Sequence, residues 1–499
     1  MIVWKPNDDD CLAALEDQNP WHSIRRVPSE LAQPVRRPLA EILWRVLLHP
    51  PVQRHQIILG PRRVGKTTAM YQTVERLLHH DLRPRKYWWL RLDHPLFLQL
   101  NLGSLINEII RVSRAEPSDP TFLFLDELTY ADNWALWLKT IHDEHWPVRI
   151  VGTSSATAAI REQRTESGVG RWEEQYLAPY LFTEYLDLKN ISTDLIAQET
   201  LSETLRVALE TKQSIPDLSD TRRRFIITGG FPELLTRDES GDEQSDILRS
   251  QRILRSDAIE KAIYKDIPQA FAIQDPAKLE RLLYTLAGQV TGLFSPQTIG
   301  TDIQLASNTL ERYVTFLERA FIVFTLSNYS PSEESVQRRG KKLYFIDGAV
   351  RNAALLRGLA PLSDPKEMGL LIENMVAAHL NALSHQTGVR LYHWRHKGHE
   401  VDFVYDHPSD PIAVEVTSSS SHSAKGISEF QRRFPRFEGR CFLVYPDAKP
   451  VLPNDQKPGR IPLDMLLVAI GKQSQHALER RFGVKHSPST GQYMLFDED

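Results

Sequence analysis

Short apolar runs alternate with longer stretches of helical spacing over residues 36–190. The apolar runs, which predict buried strands, cover residues 56–59, 87–92, 121–125 and 148–151. Stretches in which apolar side chains recur every three or four positions predict helices, and they cover residues 36–49, 69–78 and 101–114. These residues are therefore predicted to form strands joined by helices.

The middle of the chain has mostly helical spacing. Two helices are predicted over residues 205–224 and 246–264, and a third begins near Lys278. Ser295 and Ser307 are predicted to cap two further helices, the last of which ends near Arg319.

Two apolar runs follow these helices, at residues 321–326 and 341–346, and predict a β-hairpin. Three helices followed by a hairpin are the order of a winged helix. In the last third, a helix is predicted over 368–384, and the predicted strands begin at Tyr392, Glu400 and Ile412. A strand and a helix are expected within 451–466. Residues 1–35 are expected to form an irregular arm anchored by Trp4 and Trp21, and the polar residues 484–499 are expected to be disordered.

Composition limits the class of protein. Of 499 residues, 41% are hydrophobic and 25% charged, which is typical of a soluble globular protein. The net charge of −4 excludes a global basic field for nucleic acid. The two cysteines, Cys11 and Cys441, exclude a disulfide framework and a cysteine-based zinc site, and they favour the cytoplasm. The chain has no apolar run of about 18 residues that could span a membrane and no signal peptide.

Gly60–Thr67 fits the pattern G-x-x-x-x-G-K-[ST] between a predicted strand and a predicted helix, which is the context of a phosphate-binding loop. Main-chain N–H groups of such a loop and the start of the helix would bind the phosphates of ATP. Lys66 would reach the β- and γ-phosphates, and the Thr67 hydroxyl would bind Mg²⁺. The alternative is an ordinary glycine turn. The candidate nucleotide-binding residues are Gly60, Pro61, Arg62, Arg63, Val64, Gly65, Lys66, Thr67 and Thr68.

Asp126 and Glu127 follow a strand that is predicted to be buried on both faces. Carboxylates at such a position fit a Walker B pair. Asp126 would hold Mg²⁺ through water, and Glu127 would orient or deprotonate the attacking water. The alternative is a helix cap.

Small polar residues end the next predicted strand. Ser154 is the candidate sensor of the γ-phosphate or of the lytic water, with Thr153 and Ser155 as rivals, and the alternative is a Ser/Thr turn. Arg171 follows a glycine and is the candidate arginine finger, acting in the same chain or on a neighbouring subunit. The alternative for Arg171 is a solvated surface residue.

The predicted winged helix has a candidate DNA surface. Asn308, Thr309 and Arg312 would lie on the outer face of its third helix, facing a DNA groove. The basic residues of the wing would grip phosphates, and they are Arg338, Arg339, Lys341 and Lys342. The alternative is a packing module with a solvated basic face.

Glu373, Asp402 and Glu415 are candidates for a second metal site, with one carboxylate on a helix and two on adjacent strands. The pattern resembles the PD-(D/E)xK nucleases, in which the second strand carries Glu-x-Lys. Here Thr417 takes the lysine position, and Lys425 in the following helix is a candidate substitute. The domain is therefore either an active nuclease or an inactive descendant that binds nucleic acid or is purely structural.

The run Gln492–Phe496 resembles the Gln-x-x-Leu-Phe motif that docks bacterial proteins on the sliding clamp. In this interpretation Leu495 and Phe496 would fill an apolar pocket. The alternative is a tail that folds back on its own domain.

As a series, the motifs resemble those of bacterial and archaeal AAA-type ATPases that carry a C-terminal domain of unknown function. The residues that carry this likeness are 60–67, 124–128, Trp134, 152–155, 170–171, the Leu-x-Pro-Tyr-x-x-x-Glu-Tyr segment 177–185 and 229–233. The resemblance implies a three-layer α/β/α P-loop core with a helical lid, followed by a winged helix and a restriction-endonuclease-like α/β domain. The predicted segments are an arm (1–35), an ATPase core (36–190), a lid (191–270), a winged helix (271–350), a nuclease-like domain (351–470) and a helix with a flexible tail (471–499).

The resulting hypothesis is an ATPase that binds ATP and Mg²⁺ and acts on DNA in repair, recombination or defence. The alternative is a nucleotide-gated switch that acts on protein partners without DNA chemistry. A homo-oligomer is an open expectation in both cases.

Overall fold

The computed structural model describes residues 8–50, 52–98, 100–154, 170–211, 216–235, 242–271, 273, 275–332, 340–418, 423–487 and 492–495. The chain divides into two compact units. The first comprises Met1–Pro61, Gly65–Leu177 and Arg481–Asp499, and the second comprises Arg62–Val64 and Ala178–Arg480.

A five-stranded parallel sheet forms the centre of the first unit. Its strands are β1 (His55–Leu59), β2 (Tyr87–Arg91), β3 (Thr121–Asp126), β4 (Val148–Ser154) and β5 (Trp172–Tyr176). Their order across the sheet is β2-β3-β4-β1-β5, and every pair is parallel. Every residue of β1 and β3 is buried, as the unbroken apolar runs predict. The four predicted strands are confirmed, and β5 is added to them.

Helices lie before and between these strands. They are α1 (Asp8–Gln18), α2 (Trp21–Ile24), α3 (Ser29–Ala32), α4 (Pro38–Leu48), α5 (Lys66–His80), α6 (Leu102–Ser113) and α7 (Trp134–Asp143), with 3₁₀ turns at Pro84–Lys86 and Leu128–Tyr130. The three predicted helices correspond to α4, α5 and α6. The prediction of an irregular arm is wrong for residues 8–32, because α1, α2 and α3 lie there.

Side chains that follow α1 cover the free edge of β2. The Asn19 side chain accepts a hydrogen bond from the Trp89 N–H (2.6 Å) and donates one to the Trp89 carbonyl (3.0 Å). The buried Trp21 indole donates to the Tyr87 carbonyl (2.9 Å). These side chains satisfy backbone groups that an edge strand otherwise leaves unpaired. Trp21 is thus the anchor that was predicted, whereas Trp4 lies outside the described residues.

The second unit opens with helices. They are α8 (Phe182–Leu188), α9 (Leu201–Glu210), α10 (Ser219–Thr228), α11 (Pro232–Leu235), α12 (Glu243–Leu254) and α13 (Ile267–Ala270), with π-helical segments at Arg255–Glu260 and Ala262–Asp266 between the last two. The prediction of one helix over 205–224 is wrong: α9 and α10 are separate, and Pro216, which cannot donate to a helix, lies between them.

Two of the recognised motifs meet inside this unit. The Tyr180 N–H donates to the Gly230 carbonyl (2.6 Å), and a Cβ on Gly230 would lie 2.2 Å from the Tyr180 carbonyl oxygen. Glycine is therefore required at this close approach of two backbones. The buried Asp347 carboxylate accepts a hydrogen bond from the Gly230 N–H (2.8 Å).

Three helices and a small antiparallel sheet follow. They are α14 (Pro276–Gly288), α15 (Pro296–Ile303) and α16 (Ser307–Arg319), with β6 (Leu293–Phe294), β7 (Val323–Leu326) and β8 (Lys341–Phe345) in the order β6-β8-β7. The predicted helices and both hairpin strands are confirmed, and β6 is added. Ser295 caps α15 as predicted, with its hydroxyl accepting from the Thr298 N–H. The predicted cap by Ser307 is wrong, because Ala306 takes that position without a side-chain bond.

A mixed five-stranded sheet forms the rest of the second unit. Its strands are β9 (Leu391–His396), β10 (His399–Tyr405), β11 (Ile412–Val416), β12 (Cys441–Tyr445) and β13 (Gly459–Pro462), in the order β13-β12-β11-β10-β9. Strands β9 to β11 are antiparallel, and β11 to β13 are parallel. The accompanying helices are α17 (Gly348–Leu355), α18 (Pro365–Thr387), α19 (Lys425–Arg433) and α20 (Leu463–Phe482), with 3₁₀ turns at Ala360–Ser363 and Pro435–Phe437. The predicted helix and strands of this region are confirmed.

The end of the chain contains two paired strands, β14 (Val484–Ser487) and β15 (Gln492–Leu495). The expectation of disorder is therefore wrong for these eight residues. In the part of the chain that the structure describes, no helix is both long and apolar enough to cross a bilayer.

Asn19→Ala is expected to loosen the β2 edge. The buried Trp89 amide and carbonyl would lose their partners at a cost of about 1–3 kcal/mol, which corresponds to roughly 5- to 160-fold faster local exchange. Hydrogen–deuterium exchange of residues 87–91 measures this. Asn107→Ala, at an exposed position of α6, is the control and should leave that exchange unchanged. Equal exchange rates in wild type and Asn19→Ala would contradict the role given to Asn19.

Candidate nucleotide-binding site

The predicted chemical residues of the first unit lie at one edge of its parallel sheet. The loop from Gly60 follows the carboxyl end of β1, Asp126 ends β3, and Ser154 ends β4. These three strands are neighbours, since β4 pairs with both β1 and β3. Ligands of open α/β sheets bind at the carboxyl ends of the strands, so this edge is the expected position of a site.

The loop has the backbone that a phosphate cradle requires. Gly65 lies in the left-handed region (φ 90°) immediately before α5, and Arg63 also has a positive φ of 69°. The amino end of α5 presents N–H groups without intrahelical partners together with the positive end of the helix dipole. The loop and helix start can therefore bind an anion.

The Lys66 side chain turns back over the loop. It is largely buried, and Nζ donates to the carbonyl oxygens of Gly60 (2.9 Å) and Pro61 (2.8 Å). Its ammonium group is thus held at the loop by main-chain acceptors, at the position that the prediction gave to the phosphate-binding lysine.

Arg62–Val64 belong by their contacts to the second unit, and there the two arginine side chains engage carboxylates. Arg62 forms a two-pronged ion pair with Asp266, and Arg63 pairs with Glu233 (2.8 Å) and with Asp257. In this structure the guanidinium groups of the predicted nucleotide-binding residues Arg62 and Arg63 are bonded to acids.

The π-helical segments explain how Asp257 and Asp266 both reach these arginines. The two residues are nine positions apart. In an α-helix that spacing is about two and a half turns, which places side chains on opposite faces. A π-helix has i to i+5 hydrogen bonds and roughly 4.4 residues per turn, so nine positions are close to two turns. The wider winding is thus consistent with two acids at this spacing meeting neighbouring arginines.

Asp126 is the centre of the hydrogen-bond network at the sheet edge. The Thr67 hydroxyl lies 3.2 Å from both carboxylate oxygens, and the Thr153 hydroxyl donates to Oδ1 at 2.6 Å. Burial raises the pKa of Asp126 to about 6, while the hydrogen bond from Thr153 acts against the rise and the charge of Glu127 adds to it. The carboxylate is thus ionised at neutral pH but within reach of protonation in mild acid.

Glu127 follows in the left-handed region (φ 56°), which is uncommon for a residue other than glycine. Its N–H donates to the Thr153 hydroxyl (3.0 Å). Thr153 therefore bonds to both members of the predicted Walker B pair.

The prediction ranked Ser154 above Thr153 as the polar residue at the tip of β4. Ser154 is buried and paired in register with Leu59, and the Thr153 hydroxyl bonds to Asp126 and to the Glu127 N–H. Residues alternate between faces along a strand, so only one of the two can face Asp126, and the sequence alone does not say which. Ser155 lies outside the described residues.

The structure does not place Arg171 near the loop of its own chain, so the prediction of a finger in the same chain is wrong. Its carbonyl accepts from the His55 N–H at the amino end of β1, opposite to Gly60. The length of a five-residue strand, about 16 Å, separates the two ends. The guanidinium group instead forms a two-pronged pair with Asp143 (2.8 and 3.0 Å). A contact to a neighbouring subunit stays a prediction.

The residues at the sheet edge fit Mg²⁺ and a nucleotide. Mg²⁺ prefers oxygen ligands and in proteins commonly takes only one or two carboxylates plus substrate phosphates. Asp126 and the Thr67 hydroxyl supply such oxygens side by side, next to the loop with its lysine. The structure therefore brings together Gly65, Lys66, Thr67 and Asp126, four of the residues that were assigned to ATP and Mg²⁺.

The second predicted metal site, Glu373 with Asp402 and Glu415, is wrong as stated. Among the described residues, no group of three or more acidic, histidine or cysteine side chains is placed to hold a metal ion. The Lys342 ammonium lies against Glu373 and Asp402, and the Glu415 carboxylate accepts from the Ile427 N–H (3.0 Å).

The candidate DNA residues are placed unequally. Asn308 and Arg312 are exposed on α16 as predicted, Thr309 is half-buried, and Lys341 is exposed. Lys342 is buried, so the prediction that it grips phosphates on the wing surface is wrong. Arg338 and Arg339 lie outside the described residues. Thr417 and Lys425 follow β11 and begin α19, respectively.

The clamp-binding candidate Gln492–Phe496 lies partly in β15. Residues 492–495 pair with β14 of the same tail, and Phe496 lies outside the described residues. An extended, free peptide is therefore not what the structure shows for these four residues.

Family models match three parts of the chain. Residues 53–186 match the model of an AAA domain. Residues 219–361 and 368–463 match two domains of unknown function, DUF8612 and DUF4143.

Two curated relatives come from Methanocaldococcus jannaschii. The uncharacterized protein MJ1544 is 22% identical over 383 residues, which cover 76% of this chain and 78% of that protein. The uncharacterized protein MJ1637 is 24% identical over 388 residues, which cover 75% and 78%.

Two solved structures are distantly similar. The Walker-type ATPase PABY2304 of Pyrococcus abyssi covers 71% of this chain and 99% of its own at 12% identity and a TM-score of 0.35. The ORC2 protein of Aeropyrum pernix, in its ADP form, covers 66% and 94% at 15% identity and a TM-score of 0.32. The family match over residues 53–186, together with the geometry of the loop and of Asp126, shows that the chain contains an AAA-type P-loop ATPase domain.

Proposed function

We propose that this domain binds ATP with Mg²⁺ and hydrolyses it. The observation that carries the proposal is the buried Asp126 carboxylate, which is held by the hydroxyls of Thr67 and Thr153 beside the phosphate-binding loop. Burying a carboxylate is costly unless it is bonded or binds a cation, and this one is both bonded and adjacent to an anion cradle.

Each residue then has a separate role. Main-chain N–H groups of the loop and of the start of α5 bind the phosphates, and the Lys66 ammonium moves from its carbonyl partners to the β- and γ-phosphates. Thr67 and Asp126 hold Mg²⁺, which when bound neutralises charge that develops on the phosphates. Glu127 orients the attacking water and accepts its proton. Thr153 fixes the position of Asp126 and of the Glu127 backbone.

We further propose that the ATPase acts on DNA. The support is the order of α14 to α16 with the small sheet, which is that of a winged helix, and the exposure of Asn308 and Arg312 on α16. A role in repair, recombination or defence would follow from this. We expect the mixed sheet β9–β13 with α18 to be the nuclease-like domain, because these elements carry Glu373, Asp402 and Glu415.

Other expectations rest on the sequence alone. They are a homo-oligomer, in which Arg171 would serve a neighbouring site, docking of Gln492–Phe496 on a sliding clamp, and a cytoplasmic location. Light scattering of the full chain with and without ATP would test the first of these.

Substitution of Lys66 and Glu127 should separate binding from turnover. Lys66→Ala should abolish ATP binding, because the loop loses the ammonium that meets the phosphates. Glu127→Gln should keep binding and lower turnover by about 10²- to 10⁴-fold, the usual contribution of a general base. Equilibrium binding of a fluorescent ATP analogue and phosphate release measure the two quantities. Glu116→Gln, at an exposed acid, is the control. Wild-type turnover in Glu127→Gln would overturn its assignment.

Binding of Mg²⁺–nucleotide should weaken as the pH falls through about 6, because protonation removes the Asp126 charge. Thr153→Val removes a hydrogen bond that favours the ionised carboxylate, so the pKa should rise and the midpoint should move to higher pH. Fluorescent nucleotide titrations between pH 5 and 8 measure both proteins. The nucleotide's own titration cancels in the comparison. A midpoint that stays in place or moves down in Thr153→Val would contradict the role of Thr153.

DNA binding should be salt-sensitive and depend on α16. Filter binding of duplex, flap and junction DNA at low salt should show binding that falls steeply with added salt. Arg312→Ala should weaken it and reduce the salt slope by about one unit if this residue contacts a phosphate. Arg432→Ala, at an exposed arginine of α19, is the control.

The opposite result would favour the alternative function. No salt-sensitive binding to any of these DNAs, an ATPase rate that DNA leaves unchanged, and a stoichiometric protein partner in a pulldown would together indicate a switch that acts on proteins.

A further inference from the structure

Lys342 is a buried cation in an unexpected place. It is the second residue of β8 in the small antiparallel sheet, and only 4% of it is exposed. Its side chain reaches carboxylates on two other elements of the same unit, Glu373 on α18 and Asp402 and Glu400 on β10. Lysine is seldom buried unless it is paired, so these contacts account for its position.

The ammonium group has a carboxylate for each of its donors. Nζ lies 3.0 Å from Asp402 Oδ1 and 3.1 Å from Glu373 Oε1, and it also pairs with Glu400. An ammonium group has three N–H donors, and three carboxylates use all of them. No donor is left for a phosphate or for an attacking water.

The acids of the cluster are bonded on their other sides as well. The Tyr344 hydroxyl donates to Glu373 Oε1 (2.9 Å), and Asp402 Oδ2 accepts from the Val416 N–H (2.9 Å). The cluster is therefore a connected polar network inside the second unit.

The surrounding acids keep Lys342 charged. Burial by itself lowers the pKa of Lys342, but Asp402, Tyr344, Glu373 and Glu400 outweigh burial and hold that pKa well above its usual value. Burial and the neighbouring charge of Asp402 raise the pKa of Glu373, and the charge of Lys342 acts against that rise. Lys342 is thus a permanent cation between acids that would otherwise repel each other.

A helix and a strand that direct carboxylates to one point make the arrangement expected for a divalent cation. The donor set present does not fit that ion, because a cation of the chain already lies between Glu373 and Asp402. We infer that Lys342 takes the place of the metal ion, as a tethered cation that closes the carboxylate cluster of the nuclease-like sheet. Lys342 is then a positioning residue, and the domain does not cleave phosphodiesters.

Lys342 also does not replace the lysine that is missing at Thr417. An activating lysine must direct at least one N–H at the substrate or at water, whereas all three donors of Lys342 point to carboxylates. The inference is independent of the ATP site, which lies on the other unit and contributes none of these residues.

The first test compares Mn²⁺ binding to the full chain without nucleotide. Wild type should bind no Mn²⁺ at the cluster, so Asp402→Asn should leave the number of bound Mn²⁺ ions, counted by electron paramagnetic resonance, unchanged. Loss of one bound ion in Asp402→Asn, or cleavage of flap DNA by wild type that Asp402→Asn abolishes, would overturn the inference. This test does not require any Lys342 variant to fold.

The second test removes the cation. Lys342→Met keeps most of the length of the side chain, removes its charge and leaves the acids unneutralised, so the variant should unfold at a lower temperature. Mn²⁺ should then raise its unfolding temperature by several degrees and that of wild type by no more than one. Lys342→Met with Asp402→Asn should lose the response. A folded Lys342→Met that responds to Mn²⁺ no more than wild type would refute the proposed exchange of cations. ATP binding, which Lys66 controls, should stay at the wild-type level in all these variants.

Discussion

Burial of the Asp126 carboxylate at the carboxyl edge of the parallel sheet is the constraint on which the ATPase domain depends. The strand that carries it is buried along its whole length, so the charge at its end needs partners. Two hydroxyls supply them, one from the helix after the phosphate-binding loop and one from the neighbouring strand. A single hydrogen-bond network thus connects β3, β4 and α5. Hydroxyls bond to the carboxylate without neutralising it, so its charge remains available to a cation.

The cluster around Lys342 solves the same physical problem in another way. Asp402 is also a buried acid and Glu373 is half-buried, but an ammonium group of the chain compensates their charge. Removing one member of a buried ion pair typically costs several kcal/mol, about 3–5, because the remaining charge has no solvent. The cluster therefore joins β8 to α18 and β10 more firmly than a surface ion pair would. Asp126 is left open to a metal ion, whereas Lys342 already lies between Glu373 and Asp402.

The acids that bind Arg62 and Arg63 show that the winding of a helix, and not only the spacing of residues in the sequence, affects which side chains can meet. Arg62 and Arg63 meet acids that an α-helix would place on opposite faces. The segments that carry these acids are π-helical. Such winding is rare in proteins, and where it occurs it is often at a functional site. The sequence of residues 255–266 does not predict π-helical winding, because its apolar positions are compatible with an ordinary α-helix.

The sequence by itself determined the features that local rules govern. The loop motif, the unbroken apolar runs, the helical spacing and the glycines each depend on residues close together in the chain. The strands of the ATPase core, most helices and the placing of Lys66, Thr67 and Asp126 at one edge of the sheet could therefore be predicted. Tertiary structure alone decided which of Thr153 and Ser154 meets Asp126, since that choice depends on how β4 is turned against β3. It also decided that Arg171 lies at the amino end of the strands, opposite to the phosphate-binding loop. The bonds of Asn19 and Trp21 to the backbone of the edge strand β2 likewise depend on the tertiary structure. Lys342 and Asp402 are sixty positions apart and lie in different sheets. The pattern of apolar and polar residues therefore could not predict that their side chains are in contact.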